Sequence, residues 1–432
     1  MIEIRTGEFD QAIAALHARN DATQDPAILA RVQFMQDDVR RTGEAAVLRY
    51  TREFDRVPES FSMWVSEAEI QAAYAALPES TMAAFDRAIQ NIRAYHGHQI
   101  PRDWTASPQP GVTYGARYAA IETVGLYVPG GRAVYPSTIL MGAIPARIAG
   151  VKNVIMVTPP RPDGTVHPAV LVAADRCGVT QIFKVGGAQA IFALAYGTAT
   201  IPKVDKIVGP GNAYVTLAKQ LVYGTVDIDK PAGPSEIAVI IDRLDYATFA
   251  AADMLAQLEH GPDSVAVVLT ADPQIADAVA AAFNALLKRC ARVDILQSSA
   301  ANARIFLSGS DDETAELTNA IASEHLVILS DTPEVWLRRI RHAGSIFLGP
   351  YSPVTLGDYY AGPNHVLPTS GTARFASPLG VMDFMKYSSV CGYSRDALRQ
   401  ADADLKTLTG VEGLDAHYLA VDVRLNGYKS EQ

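Results

Sequence analysis

The fold is decided by residues 151–222, which read VKNVIMVTPPRPDGTVHPAVLVAADRCGVTQIFKVGGAQAIFALAYGTATIPKVDKIVGPGNAYVTLAKQLV. Short apolar runs alternate here with longer segments of helical spacing. The predicted elements are strand Val151–Val157, helix Ala169–Arg176, strand Gln181–Val185, helix Ala188–Tyr196, strand Lys206–Val208 and helix Ala213–Val222. Strands that alternate with helices of this length form βαβ units and parallel sheets. The stretch therefore predicts an α/β fold.

The same alternation resumes further along the chain. It restarts with a predicted strand at Ile237–Ile241 and closes with another at Ser345–Leu348. The interruption near Asp227–Ser235 divides the alternation into two blocks. Two blocks favour two doubly wound sheets over a single barrel.

Two further regions flank these blocks. Ile28–Tyr50 places apolar residues at helical spacing among charges, with Gly43 as the joint between two helices. Tyr351–Leu379 is instead rich in Gly, Pro and polar residues. Loops of that length are usually functional or disordered. Because this loop carries Asp358 and His365, we expect it to be functional.

Composition excludes several classes of protein. A chain of 432 residues is long enough for two or more domains. Lys+Arg 37 against Asp+Glu 47 gives a formal charge of −10, which opposes binding to nucleic acid or an anionic membrane. The N-terminus lacks the apolar region of a signal peptide, and no run of about 18 apolar residues could span a membrane. With three scattered cysteines and no CxxC, the sequence predicts a cytoplasmic protein.

Glycine-rich turns follow three of the apolar runs, at Tyr127–Gly131, Gly186–Gln189 and Gly209–Asn212. Glycine lets a backbone approach a ligand closely, and a following helix offers free N–H groups to a phosphate. The GxGxxG fingerprint of dinucleotide sites is absent. The turns are therefore consistent with a nucleotide site and also with ordinary strand–helix geometry.

Five side chains have the chemistry of metal ligands. Gln257 and His260 lie three residues apart near the end of a predicted helix, hence on one face. Asp358 and His365 lie in the long loop and His417 near the C-terminus. Oxygen and imidazole ligands together suit zinc or a similar divalent ion. Spacing alone does not show that these residues meet, so isolated surface side chains remain the alternative.

Glu324 and His325 form a second chemically suggestive pair at the start of a predicted strand. A carboxylate and an imidazole can share general-base duties, because neutral histidine accepts a proton near pH 7. The alternative is a helix-end glutamate followed by a packed histidine. The cysteines have no adjacent histidine or activating motif, which disfavours a thiol nucleophile.

Longer motifs run in order along essentially the whole chain. They are YTREFD at 50–55, NIRAYHGHQ at 91–99, VGLYVPGG at 124–131, VGGAQAI at 185–191, VDKIVGPGN at 204–212, PAGPSE at 231–236, QLEHGPD at 257–263, SEHL at 323–326, GDYYAGPNHVLPT at 357–369, GTARF at 371–375 and EGLDAH at 412–417. In these motifs the chain resembles the histidinol dehydrogenase family.

The resemblance implies an α/β fold of two incomplete Rossmann-like, doubly wound domains with small helical N- and C-terminal segments. We expect an N-terminal segment at 1–27, a first domain at 28–123 plus 237–380, a second, NAD-contacting domain at 124–236 and a C-terminal segment at 381–432. It also implies an intertwined homodimer, in which the C-terminal segment contributes to the partner subunit's site.

The resemblance also implies an activity. L-histidinol, two NAD and water give L-histidine through an enzyme-held aldehyde, in the final step of histidine biosynthesis. One zinc ion per subunit is expected, with the ligands Gln257, His260, Asp358 and His417, the last from the partner subunit. Glu324 and His325 are the implied catalytic bases.

Ligand-contacting residues follow from the same resemblance. The implied NAD contacts are Tyr127, Gln189 and Asn212. The implied substrate contacts are Ser235, Gln257, His260, His325, Asp358, Glu412 and His417. His365 has no assigned role and is a candidate to support a metal ligand. Tyr387 stands where members of the family often carry a basic residue, which bears on specificity.

Three other functions compete with this one. A related dehydrogenase could act on another alcohol, such as a sulfonated diol, but Glu412 and His417 favour histidinol. A catalytically dead zinc scaffold is disfavoured by the intact Glu324–His325 pair. A zinc hydrolase is disfavoured because no HExxH-like pattern is present.

Overall fold

The computed structural model describes residues 2–18, 25–130, 134–231 and 233–427. Its strands are β1 (Glu3–Arg5), β2 (Trp104–Ala106), β3 (Val112–Ala120), β4 (Thr123–Tyr127), β5 (Asn153–Val157), β6 (Gln181–Phe183), β7 (Lys206–Val208), β8 (Asp227–Ile228), β9 (Glu236–Ile241), β10 (Val265–Thr270), β11 (Ala303–Leu307), β12 (His325–Leu329), β13 (Ser345–Leu348) and β14 (Met385–Tyr393).

The helices of the same ranges are α1 (Phe9–His17), α2 (Pro26–Thr42), α3 (Glu44–Asp55), α4 (Glu67–Ala76), α5 (Glu79–Gly97), α6 (Pro136–Ala149), α7 (Pro168–Arg176), α8 (Gly187–Tyr196), α9 (Ala213–Val222), α10 (Ala247–Leu258), α11 (Pro273–Leu287), α12 (Val293–Ser299), α13 (Asp311–Ile321), α14 (Pro333–Leu337), α15 (Val354–Tyr359), α16 (Arg395–Glu412) and α17 (Asp415–Asn426). None of the helices in this described part of the chain is both long and apolar enough to cross a membrane.

The first sheet has six parallel strands in the order β1-β11-β10-β9-β12-β13. Every residue of β9, β10 and β12 is buried, as expected for central parallel strands covered by helices on both faces. One face packs on side chains such as Met254 and Phe283 of α10 and α11, and the other on Leu317 of α13. The register places His325 at the start of β12 opposite Ile237 of β9.

The second sheet has five parallel strands in the order β6-β5-β4-β7-β8. Helix α8 is apolar on all sides and buried from Ala188 to Ala195, because it lies under the N-terminal helices as well as on the sheet. Val32 and Met35 of α2 share one apolar core with Phe192 of α8. The N-terminal helices therefore complete the outer layer of this sheet.

The chain forms two compact units. The first unit contains both parallel sheets and comprises Met1–Gln99 and Ile121–Phe384. The second unit comprises Ile100–Ala120 and Met385–Gln432. In the second unit an antiparallel sheet, in the order β14-β3-β2, accompanies helices α16 and α17.

The expected α/β class with two parallel sheets is confirmed. The break at Asp227–Ser235 separates β8 from β9, and Gly43, with a φ of 58°, joins α2 to α3. The helical C-terminal segment that we expected also contains a nine-residue strand, β14. This strand owes its conformation to its pairing with β3, which is distant in sequence.

Domain grouping in the structure differs from the boundaries expected from sequence. Helices α2 and α3, which we expected in one domain with residues 237–380, pack on α8 of the second sheet, because their apolar faces meet there. Strand β1, from the expected N-terminal segment, extends the first sheet by pairing with β11. Residues 100–120 belong with the C-terminal segment through the β3–β14 ladder.

Candidate active site

A cavity of about 550 Å³ lies within the first unit, lined by loops of both parallel sheets. The second sheet contributes the turns that follow β4 and β7, namely Pro129–Gly130 and Pro210–Asn212. The first sheet contributes Ser235 and Glu324–His325, at the amino ends of β9 and β12. The cavity therefore combines the carboxyl ends of one set of strands with the amino ends of the other.

Glu324 is buried, and its side chain is fixed by a backbone group. Its Oε2 atom accepts a hydrogen bond from the N–H of Glu236 at 2.8 Å. The Nε2 atom of Gln257 lies 3.5 Å from the same oxygen. The Nδ1 atom of His325 also lies 3.5 Å from it. The carboxylate is thus held beside both an imidazole and an amide.

The neutral ring of His325 is held in one tautomer. Its Nδ1 atom lies 3.1 Å from the carbonyl oxygen of Glu236, and a carbonyl only accepts, so Nδ1 carries a hydrogen. In the neutral ring Nε2 is therefore the basic atom, and it lies 3.6 Å from Oδ1 of Asp358. Burial lowers the pKa of His325, but the Glu324 and Asp358 carboxylates outweigh burial and raise it to about 10.

Asp358 lies on the short helix α15, within the loop region that we expected to be functional. Burial raises the pKa of its carboxyl group, but His325, His365 and His260 outweigh burial, and the pKa is lowered. The Nδ1 atom of His365 donates to the backbone carbonyl of Asp358 at 2.9 Å. Burial lowers the pKa of His365, which favours its neutral form. His365 therefore supports the backbone that carries Asp358, and it also lines the cavity.

Gln257 and His260 are brought to the same cavity by the end of α10. The Oε1 atom of Gln257 is buried and accepts no hydrogen bond from the described part of the chain. His260 uses Nδ1 to donate to the carbonyl oxygen of Gln257 at 3.1 Å, which leaves Nε2 free to bind a ligand. A buried acceptor without a partner is costly, and a cation would satisfy it.

These groups fit a divalent cation as a partial ligand set. Gln257, His260 and Asp358 present an amide oxygen, an imidazole nitrogen and a carboxylate, which are donor types suited to zinc. A histidine that donates its other ring N–H to a carbonyl is typical of metal sites. Within the described ranges no group of three or more His, Cys, Asp or Glu side chains is arranged to hold a metal. The set depends on a glutamine and has three members, one fewer than a structural zinc site.

Asn212 is the one expected NAD contact that lines the cavity. Its side chain also caps α9, because Oδ1 accepts from the N–H of Val215 at 3.1 Å. Tyr127 and Gln189 are buried and do not line the cavity. The hydroxyl of Tyr127 accepts from the N–H of Gly187 at 3.2 Å, and Oε1 of Gln189 has no hydrogen-bond partner among the residues that the structure describes. Both lie at the glycine turn that begins α8.

Two of the glycine turns are explained by close packing. A Cβ atom at Gly186 would lie 2.5 Å from Cβ of Pro159. At Gly209, where φ is 115°, a Cβ atom would lie 2.1 Å from the carbonyl oxygen of Tyr127. Only glycine fits at either position. In the first turn, Gly131 lies outside the described residues.

Glu412 and His417 are not among the residues that line the cavity. Both belong to the second unit, where Glu412 ends α16 and His417 lies in the first turn of α17. Both residues are exposed. Their expected roles as substrate contacts and, for His417, as a metal ligand therefore remain predictions.

None of the three cysteines lines the cavity. Burial raises the pKa of the Cys177 thiol to about 12, so the thiolate that a nucleophile requires is absent near neutral pH. Cys391 is exposed on β14 of the second unit. The structure thus provides no thiol beside the Glu324–His325 pair.

Glu236 is a residue whose importance the sequence patterns did not indicate. Its backbone contacts both Glu324 and His325, and its carboxylate accepts from the N–H of Ser370 at 3.0 Å. The sequence feature that could have identified Glu236 is its position as the last residue of the motif PAGPSE, at the start of β9. A motif reports side-chain identity, whereas the contacts to Glu324 and His325 are made by main-chain atoms of Glu236.

Known proteins match this fold and these motifs over nearly the whole chain. The family model described as histidinol dehydrogenase matches residues 18–425. A histidinol dehydrogenase of Halalkalibacterium halodurans is 46% identical over 388 residues, which cover 90% of this chain and 91% of that protein. One of Synechococcus sp. is 45% identical over 419 residues, or 96% of each chain. The crystal structure of histidinol dehydrogenase from Elizabethkingia anophelis has a TM-score of 0.92 at 35% identity and covers 98% of each chain. Agreement in sequence and in three dimensions over this length shows that the chain belongs to the histidinol dehydrogenase family.

Proposed function

We propose that the chain oxidises L-histidinol to L-histidine through L-histidinaldehyde, with two NAD, as the final step of histidine biosynthesis. The observation that carries the proposal is that Glu324 and His325 share one cavity with Gln257, His260 and Asp358. A paired base and a set of metal-binding donors are what a metal-assisted alcohol oxidation requires. Membership of the family supports the same substrate.

Zinc would be held by Gln257, His260 and Asp358, with His417 from a second copy of the chain as the fourth ligand. When bound, zinc supplies coordination positions for the amine and imidazole nitrogens of histidinol, which fixes the alcohol carbon. The unpartnered Oε1 atom of Gln257 supports this assignment, because it is a buried acceptor that faces no donor of the described chain. The carboxylates of Glu324 and Asp358 also attract histidinol, which is a cation at neutral pH.

His325 removes the proton of the substrate hydroxyl through Nε2. The hydrogen bond from Nδ1 to the carbonyl of Glu236 fixes this division between the two ring nitrogens. With a cation bound, Asp358 would share its negative charge with that cation, and its effect on the pKa of His325 would weaken. The pKa of His325 would then fall towards the range in which Nε2 accepts a proton.

Glu324 activates the water that hydrates the aldehyde, and His325 then acts again in the second oxidation. The carboxylate is suited to this role because its Oε2 atom is already fixed by the N–H of Glu236. Water provides the second oxygen of the histidine carboxylate. No thiol is required, and none lines the cavity.

NAD, when bound, supplies the acceptor for the hydride that leaves the substrate carbon in each oxidation. We assign Asn212, Tyr127 and Gln189 to its binding. Asn212 lines the cavity beside Pro210 and Gly211. The unpartnered Oε1 of Gln189 offers a buried acceptor for an N–H group, and the hydroxyl of Tyr127 holds the neighbouring turn.

We also propose a homodimer whose second unit completes the site of the partner. The second unit exposes large apolar side chains, which are unusual on a surface that stays in water. They are Tyr387 at 66%, Leu408 at 63%, Val411 at 84% and Leu419 at 57% exposure. Glu412 and His417 lie next to these side chains in sequence, so burial of this surface against a second copy would bring them to an interface.

The decisive experiment measures stoichiometry. Purified protein, histidinol and excess NAD should give two NADH for each histidinol, with histidine as the product. Removal of divalent metal by a chelator should abolish NADH formation, and zinc should restore it. A yield of one NADH, or turnover that survives chelation, would contradict the proposal.

The runner-up is a related dehydrogenase that oxidises another alcohol, such as a sulfonated diol. The same assay separates the two, because turnover of the diol without turnover of histidinol would favour the relative. No turnover with either would favour a catalytically dead scaffold. We place the histidinol activity in the cytoplasm, where NAD and free thiols such as Cys391 are both expected.

A further inference from the structure

The turn that follows β7 forms part of the cavity wall. We call Gly209–Asn212 the cofactor loop, since Pro210, Gly211 and Asn212 line the cavity and Asn212 is an assigned NAD contact. The loop has little room to change, because Cβ atoms at Gly209 and Gly211 would collide with Tyr127 and Val215. Its first residue, Gly209, sets the direction in which the chain leaves the sheet.

A buried ion pair forms hydrogen bonds to both the N–H and the carbonyl of Gly209. Lys219 of α9 and Asp229, which follows β8, are bonded to each other, and their side chains are 2% and 1% exposed. The Nζ atom of Lys219 donates to the carbonyl of Gly209 at 2.9 Å and to that of Lys230 at 3.3 Å. The Oδ2 atom of Asp229 accepts from the N–H of Gly209 at 2.8 Å. Both polar backbone groups of Gly209 therefore depend on this pair.

Stability alone does not account for such a pair. Removing two charges from water costs several kcal/mol each, so a buried ion pair is often no more stabilising than an apolar pair of similar size. What an apolar pair cannot do is hold both the N–H and the carbonyl of one residue. The ammonium group uses all three of its hydrogens in this arrangement, so its orientation is fixed.

We propose that Lys219 and Asp229 are positioning residues that set the cofactor loop for NAD, an inference that rests on the proposed NAD-dependent activity. Asp229 lines the same cavity as Glu324 and His325, but the hydrogen bonds that the pair makes among the described residues go to Gly209 and Lys230 and not to Glu324 or His325. Loss of the pair therefore weakens NAD binding while the chemistry at saturating NAD stays nearly unchanged.

A neighbouring ion pair provides the matched control. Lys206 of β7 pairs with Asp227 of β8 at 2.8 Å, and the Lys206 side chain is 7% exposed. This pair joins β7 to β8, the strands that lead to Gly209 and to Asp229, but its side chains make no hydrogen bond to the cofactor loop within the described residues. Its loss should lower stability without changing NAD binding.

The test compares D229N, the double variant K219M/D229N and the control K206M/D227N. The double variant loses the Lys219 bond to the Gly209 carbonyl and should raise the Kd and the KM for NAD about tenfold, with kcat within about twofold of wild type. D229N should raise them less, because its amide oxygen can still accept from the N–H of Gly209. The Kd is measured by calorimetric titration with NAD alone. The control should keep the wild-type Kd.

A second readout uses the protein without NAD. Hydrogen–deuterium exchange of peptides that cover residues 209–212 should be faster in D229N and in the double variant, and unchanged in the control. The double variant leaves no uncompensated buried charge, so it should fold. If the double variant does not fold, the Kd and the exchange rates of D229N test the proposal. If neither variant folds, the pair is required for the whole fold and not specifically for the cofactor loop.

Unchanged Kd and unchanged exchange in folded variants would overturn the positioning role. An equal rise of the Kd in the control would do the same. A wild-type protein that does not bind NAD would instead contradict the proposed function. In that case the exchange experiment still decides whether the pair holds the loop.

Discussion

The Nδ1 atom of His325 donates to the backbone carbonyl of Glu236 at 3.1 Å, and this single bond determines which ring nitrogen can act as a base. The N–H of the same Glu236 donates to Oε2 of Glu324 at 2.8 Å. One residue at the start of β9 therefore orients both Glu324 and His325 through its main chain. Because main-chain atoms survive side-chain substitution, these two side chains can be changed one at a time without displacing their support.

Replacement of His325 by asparagine should slow both oxidations. Asparagine has no basic nitrogen, so the proton of the hydroxyl is no longer accepted at the position of Nε2. A general base typically contributes about 10²–10⁴-fold, and we expect a loss of that size in each step. Single-turnover formation of NADH from histidinol and from histidinaldehyde measures the two steps separately. Replacement of His98, which is exposed, by asparagine is the control and should leave both rates unchanged.

Replacement of Glu324 by glutamine should mainly stall the second oxidation. The amide oxygen can still accept from the N–H of Glu236, so the side chain keeps its place, but it no longer activates water. We expect aldehyde oxidation to fall about 10²–10⁴-fold while the first oxidation changes much less. The measurement is accumulation of histidinaldehyde, trapped chemically during turnover. Wild-type aldehyde oxidation in this variant would refute the assigned roles; the exposed Glu334, changed to glutamine, is the control.

The limits of sequence-based prediction are visible in individual elements. Strands Lys206–Val208 and Ser345–Leu348 were predicted with the bounds that the structure shows, because buried parallel strands are short apolar runs. Strand β1 was not predicted, because three residues acquire a strand conformation only by pairing with β11, about 300 positions away in the chain. Strand β14 was not predicted for the same reason, because it forms by pairing with β3.

Some residues of the site were predicted from the sequence and others were not. Side chains with distinctive chemistry, such as Gln257 and Asp358, were identified from motifs, and the structure brings them into one cavity. The roles of Glu236, Lys219 and Asp229 were not, because each depends on a hydrogen bond between a side chain and the main chain of another segment. A motif identifies which residue stands at a position, but a hydrogen bond to a distant main chain depends on the folded topology.

Zinc should stabilise the folded protein through Gln257. A ligand present at 100 times its Kd stabilises the folded state by about 2.7 kcal/mol, which raises Tm measurably. After chelation, added zinc should raise Tm in the wild type and much less in Gln257→Leu, which lacks the buried Oε1 acceptor. Scanning fluorimetry across a zinc titration measures the shift. An equal shift in both proteins would exclude Gln257 as a ligand; exposed Gln274, changed to leucine, is the control.

Asp253 should make stability depend on pH. Burial raises its pKa to about 6, although it accepts a hydrogen bond from the N–H of Val354, the first residue of the helix that carries Asp358. A carboxyl group whose pKa is raised on folding favours the folded state when protonated, so stability is lost as pH rises from about 4 through about 6. The difference from the ordinary value of 3.8 corresponds to at most about 3 kcal/mol.

Asparagine at position 253 imitates the protonated form and keeps an acceptor for Val354. We therefore expect Asp253→Asn to raise the free energy of unfolding at pH 8, by up to about 3 kcal/mol, and to leave it unchanged near pH 3.5. Urea denaturation at the two pH values measures this. The exposed Asp277, changed to asparagine, should show no such difference. A gain of equal size at both pH values would point to a cause other than ionisation.

Two inactive variants should restore activity when mixed, if the site is shared between subunits. Asp358→Asn and His417→Ala each remove a proposed zinc ligand, and each homodimer should be inactive. In a mixed dimer, one site combines the intact Asp358 of one chain with the intact His417 of the other. Random exchange makes about half of all dimers mixed. Each mixed dimer has one complete site of its two, so activity should reach about a quarter of the wild-type value.

The matched control mixes Asp358→Asn with His260→Ala. Both of these residues line the cavity of one chain, so every site in every dimer lacks a ligand and the mixture should stay inactive. Subunits are exchanged by dilution in mild denaturant and dialysis, and NADH formation from histidinol is then measured. If the first mixture also stays inactive although mass spectrometry detects mixed dimers, His417 acts within its own chain or not at all. Activity in the first mixture alone assigns the C-terminal unit to the partner's site, because no other combination of chains contains a complete set of ligands.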